Sequence, residues 1–106
     1  MPRYLIRGNY VGDGLRGLLQ EGGTRRREAV EQLVGSLGGK IESLYYAFGD
    51  TDIYVIVDMP DNAAMASVAL TAAATGTVAV ETVVLMTAEE LDEAVKKSPT
   101  FRPPGQ

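Results

Sequence analysis

Hydrophobic positions recur with two periods along this chain, and the changes of period mark its elements. From Arg3 to Tyr10 the period is two: Tyr4, Ile6, Gly8 and Tyr10 share one side, and Leu5, Arg7 and Asn9 the other. That alternation predicts a strand. Between Val11 and Gly23 stand Gly12, Gly14, Gly17, Gly22 and Gly23, which predict a connection with at most one helical turn around Leu15–Gln20. Ala29, Val30, Leu33, Val34 and Leu37 then recur at helical spacing. They predict a helix over Thr24–Leu37, stopped by Gly38-Gly39.

Lys40–Phe48 and Ile53–Met59 read as strands joined by the turn-forming Gly49-Asp50-Thr51-Asp52, hence a hairpin. Asp61, after Pro60, is placed to cap a second helix that runs to about Thr75 and stops at Gly76. Its alanines (63, 64, 66, 69, 72, 73 and 74) favour helix and a close approach to a sheet. Val78–Met86 is a fourth strand, and Thr87-Ala88-Glu89-Glu90 fits the capping box of a short helix reaching Lys97. Ser98–Gln106, with three prolines, reads as a tail.

The order β-α-β-β-α-β plus a terminal helix is the split βαβ, ferredoxin-like pattern of the α+β class. It predicts a four-stranded antiparallel sheet with both long helices on one face. The first and third strands, the most apolar, belong at its centre. One domain is expected over residues 1–97, with a proline-rich tail over 98–106.

Strand phase divides the sheet into two faces. Tyr4, Ile6, Ile53, Val55, Val57, Val78, Val80 and Val84 form the face expected to meet the helices. The opposite face carries Leu5, Arg7, Asn9, Tyr54, Ile56, Asp58, Ala79, Glu81, Val83 and Leu85. It is too apolar for a solvated face. A second subunit is therefore expected to cover it, in a homodimer or higher homo-oligomer, with Leu5, Ile56, Val83 and Leu85 in the interface. Arg7, Asn9, Tyr54, Asp58 and Glu81 lie among these hydrophobes and need partners there. They read either as an ion-pair network, Arg7 facing Glu81, or as the lining of a polar cavity for a small molecule.

Composition narrows the chemistry. The 106 residues include 14 acidic and 10 basic side chains, a net charge of −4, and neither cysteine nor histidine. Thiolate and imidazole nucleophiles, imidazole acid/base catalysis and the usual zinc sites are thereby removed. No cofactor and no metal is expected. The acidic balance argues against a nucleic-acid partner. No run nears the roughly 20 apolar residues that span a bilayer, so no membrane partner is expected. The start, Met-Pro-Arg-Tyr-Leu-Ile-Arg, has no apolar leader core, and a cytoplasmic location is the expectation.

Three motifs have simpler readings. Gly12-Asp13-Gly14-Leu15-Arg16-Gly17 fits G-x-G-x-x-G, but Gly22-Gly23 follows closely and the sheet is antiparallel, so a loop is expected rather than a dinucleotide site. Arg25-Arg26-Arg27 reads as a solvated or subunit-contacting face, with a phosphate or carboxylate site as the alternative. Asp50 and Asp52 lack a third oxygen donor for a hard cation and read as turn formers.

The stretch Phe48-Gly49-Asp50-Thr51-Asp52-Ile53-Tyr54-Val55-Ile56-Val57-Asp58-Met59-Pro60-Asp61, the alanine-rich helix and Val80-Glu81-Thr82-Val83 together resemble the GYD domain family. The similarity reaches upstream through Gly14-Leu15-Arg16-Gly17-Leu18, the arginine run and Leu37-Gly38-Gly39-Lys40, covering residues 3–95. Gly49 and Asp52 match the signature stretch; Thr51 stands where tyrosine is usual, and Val84 where a basic residue is often found. The resemblance implies small bacterial proteins with a dimeric α+β-barrel fold and no established activity. The function expected from the whole reading is an oligomeric small-molecule-binding or interaction module. The alternative is a cofactor-independent enzyme of oxygenase, isomerase or cyclase type, its chemistry drawn from Arg7, Asn9, Asp58, Glu81 and tyrosines. That alternative rests on fold analogy.

Overall fold

The computed structural model describes residues 1–106. In chain order its elements are β1 (Arg3–Tyr10), α1 (Gly14–Glu21), α2 (Gly23–Ser36), β2 (Lys40–Tyr46), β3 (Ile53–Asp58), α3 (Asn62–Ala74), β4 (Val78–Leu85) and α4 (Ala88–Lys96). The strands form one open antiparallel sheet in the order β2-β3-β1-β4. The two most apolar strands are therefore central, and the fold is the α+β, ferredoxin-like one that the element order predicts.

Most boundaries have visible causes. The Asp61 carboxylate accepts from the Ala64 amide at 2.8 Å and opens α3. The Thr87–Glu90 capping box is complete and opens α4. Gly38, at φ 81°, turns the chain out of α2, and Gly39 then passes so close that a Cβ there would lie 2.3 Å from Met59 Sδ. β2 stops at Tyr46, two residues short of the expected end, and Phe48 is left wholly exposed.

α1 is the main correction. It makes two full turns where at most one was expected. Glycine costs about 1 kcal/mol in a helix interior, yet Gly14 earns its place by close approach: a Cβ there would lie 1.9 Å from the Thr77 carbonyl oxygen. Gly12, at φ 54°, supplies the turn before α1, and Gly22, at φ 80°, separates it from α2.

The core lies between the sheet and the helices. Tyr4, Ile6, Ile53, Val55 and Val57 rise from the sheet to meet Val34 of α2 and Met65 and Val68 of α3, with Met59 among them. Val84, expected on this face, is instead 65% exposed. It sits opposite Tyr4 on the edge strand, beyond the cover of any helix. α4 is exposed along its whole length. The radius of gyration is accordingly 16.9 Å, against about 13 Å for a compact chain of this size.

Candidate functional site

The helices are placed over the edges of the sheet. α2 packs on β2 and α3 packs on β4, which leaves the central strands β1 and β3 facing the space between the helices. That space is a cleft of about 360 Å³. Ile6 and Val55 form its floor, Val30 and Leu33 of α2 one wall, and Ala69 and Ala72 of α3 the other. The alanine run reads as a means of close approach; at these two positions the missing side-chain volume instead keeps the cleft open. α1 closes one end with Gly17 and Leu18.

Polar groups gather where α1 meets α2. Arg26, Tyr10 and Glu21 line the cleft there, and Asp13, before the opposite end of α1, lines it too. Arg26 Nη1 donates to Glu21 Oε2 at 3.4 Å, and its positive charge acts on the Tyr10 phenol. The Tyr10 amide donates to Asp52 Oδ2 at 3.0 Å, so Asp52 ties the hairpin turn to the end of β1. Beside this group the Tyr46 hydroxyl donates to the Gly23 carbonyl at 2.7 Å.

Burial raises the pKa of Tyr10, with the Asp52 and Glu21 charges adding to it and Arg26 opposing. Burial is also the main cause of the rise at Tyr46, where Tyr10 adds and Arg26 and Arg27 oppose. Both phenols therefore stay protonated at neutral pH and can donate. The folded state holds these protons more tightly than the unfolded chain, so their contribution is complete below the ordinary value of 10.0 and is lost as pH rises through the raised values. Thermal midpoints are expected to fall as pH rises above about 10, and to fall less in a Tyr10→Phe, Tyr46→Phe double variant.

The sequence-predicted site residues lie on the opposite, helix-free face, Asn9 opposite Ala79 and the others in three cross-strand rows. One row is Tyr45, Tyr54, Arg7 and Glu81; the next is Ser43, Ile56, Leu5 and Val83; the last is Lys40, Asp58, Arg3 and Leu85. Arg7 and Glu81 stand directly opposite each other and are hydrogen-bonded. The Arg7 Nε is buried without a partner. Asn9 joins that pair around a shallow hollow of about 210 Å³ and accepts from the Asp52 amide at 3.0 Å. Asp58 is not brought to them: it pairs with Arg3 at 3.3 Å, two same-face rows further along the sheet. Leu5, Ile56, Val83 and Leu85 are half-buried.

Tyr10 and Glu21 carry no site signal in the sequence, and Arg26 enters it only within the Arg25–Arg27 run, where a phosphate or carboxylate site is the alternative to a solvated face. For Arg26 a signal exists. It precedes Val30 by four residues and Leu33 by seven, so it falls at the middle of the apolar stripe of α2. Arg25 and Arg27 are each about 100° away around the helix, and both are exposed while Arg26 is half-buried.

Comparison with known proteins gives one family. The model of the GYD domain matches residues 4–95. No curated protein matches the sequence.

Proposed function

This chain belongs to the GYD domain family, whose function is not established, and from its geometry we propose that it is a small-molecule-binding module that works as a homodimer or higher homo-oligomer. The cleft carries this reading. Its volume of about 360 Å³ falls within the roughly 300–1,000 Å³ of small-molecule sites. Apolar walls with a few converging polar groups, among them Tyr10 with its raised pKa, are the usual make-up of such sites.

Surface area supports the oligomer. The single chain exposes 7464 Å², whereas a compact monomer of its mass exposes about 5,700 Å². The excess goes with α4 and the 98–106 tail, exposed throughout, and exceeds the roughly 800 Å² that each partner buries in a stable interface. The helix-free face, with its middle row of Ser43, Ile56, Leu5 and Val83, is the surface offered. Pairing through it leaves the cleft, on the other side of the sheet, open to solutes.

The test is a titration with the neutral aromatic dye N-phenyl-1-naphthylamine, followed by fluorescence. Saturable binding at one dye per chain is expected. Ala69→Phe, which fills the cleft, is expected to weaken it about tenfold or more, a loss of roughly 1.4 kcal/mol or greater, with the thermal midpoint kept. Absent binding, or binding that ignores Ala69→Phe, would contradict the assignment.

A further inference from the structure

We propose that the cleft takes a molecule with an apolar body and one singly charged acidic head group, a carboxylate or its like, held by Arg26 and Tyr10 where α1 meets α2. This rests on the small-molecule reading above and names the ligand class for that same cleft.

Arg26 is the one cation among the residues lining the cleft. Its position in the middle of an apolar stripe costs it solvation, which is tolerated where a counter-charge is held. The counter-charge in place is loose. Glu21 stands at 3.4 Å, with its side chain 38% exposed, on the last residue of α1 before the Gly22 turn. A tight guanidinium–carboxylate bond is about 2.7–2.9 Å. Beyond Glu21, the Arg26 guanidinium has no hydrogen-bond partner in the protein. An arginine fork and a phenol that stays protonated present donors from two directions, which suits the two oxygens of a carboxylate.

The end of α2 adds to this. Arg26 lies in the first turn of the helix, whose N-cap Gly22 makes no side-chain cap and whose first turn holds no acidic residue. No acidic side chain of α2 itself offsets the partial positive charge of that terminus. Opposing a bound anion there is Glu21. It sets the charge limit: a single negative charge displaces Glu21 from Arg26, whereas the second charge of a dianion finds no further cation on the cleft. The apolar body then lies along Ile6 and Val55 between α2 and α3.

Three molecules with one tail and different heads separate the outcomes: decanoate, decanol and decylamine, each used to displace N-phenyl-1-naphthylamine from the wild-type protein. Decanoate is expected to displace the dye at about one-tenth the concentration of decanol, and decylamine to be the weakest. Arg26→Leu is expected to abolish the preference for decanoate while leaving decanol unchanged. Glu21→Gln is expected to strengthen decanoate severalfold, because it frees the guanidinium. Equal displacement by decanoate and decanol, or preference for decylamine through Asp13 and Glu21, would overturn the head-group assignment while leaving the cleft as a binding site. A dye that never binds the wild-type protein would overturn both.

Discussion

Ile56→Asp is expected to leave the protein monomeric where the wild type elutes as a dimer or a multiple of one. Ile56 stands in the middle row of the helix-free face, opposite Leu5 and beside Ser43. In a two-fold contact through that row, each copy contributes the same residue, so one substitution places two carboxylates in an apolar interface. Removing a partner from a buried charge costs about 3–5 kcal/mol, and a carboxylate introduced with no partner belongs to the same class. Association should weaken by a factor of roughly a hundred or more. Glu81→Leu reaches the same end differently, since Arg7 then loses its partner while its Nε already has none. Size-exclusion chromatography with light scattering reads both. An unchanged dimer in either variant would remove this face from the interface.

Gly14→Ala and Gly17→Ala, the same change three residues apart, are expected to move stability in opposite directions. A Cβ at Gly14 would lie 1.9 Å from the Thr77 carbonyl oxygen and 2.8 Å from its carbon. Both are backbone atoms, so no rotamer change relieves the clash, and α1 must lift away from the start of β4. Overpacking of this kind costs about 1–3 kcal/mol or more, out of a total of roughly 5–15 kcal/mol. Because α1 closes the cleft, dye binding should fall with it. Gly17 has no atom within 4 Å of its would-be Cβ, so alanine there should add about 0.5–1 kcal/mol through helix propensity. Urea unfolding of the two variants measures the contrast. Loss of stability in both, to a similar extent, would show that the Gly14 contact is not what fixes α1.

Much of the fold was legible because strand phase and helical spacing are local properties. The pairing of Arg7 with Glu81 was legible too, since phase and an antiparallel neighbour together fix which residues face each other. α1 was not, because glycine lowers helix propensity in any local reading, and the reason for Gly14 is a carbonyl at Thr77, far along the chain. The cleft was hidden for a related reason: it is made of volume that Ala69 and Ala72 do not fill and of helices set over edge strands. Neither the spacing nor the composition of α3 says which strand it will cover. Tyr10 lies on the strand face that phase assigns to the helices, but its companions come from α1, α2 and the hairpin turn. Arg26 was visible as one of three arginines; its place at the centre of the apolar stripe set it apart from the other two.

The central claim is that the ligand site lies between the sheet and the helices. Amide chemical shifts of the nitrogen-labelled protein, followed as N-phenyl-1-naphthylamine is added, test it most directly. Saturable changes are expected at Gly17, Leu18, Ala69 and Ala72, which line the cleft. Changes confined to Leu5, Ile56 and Val83, on the opposite face, would contradict it.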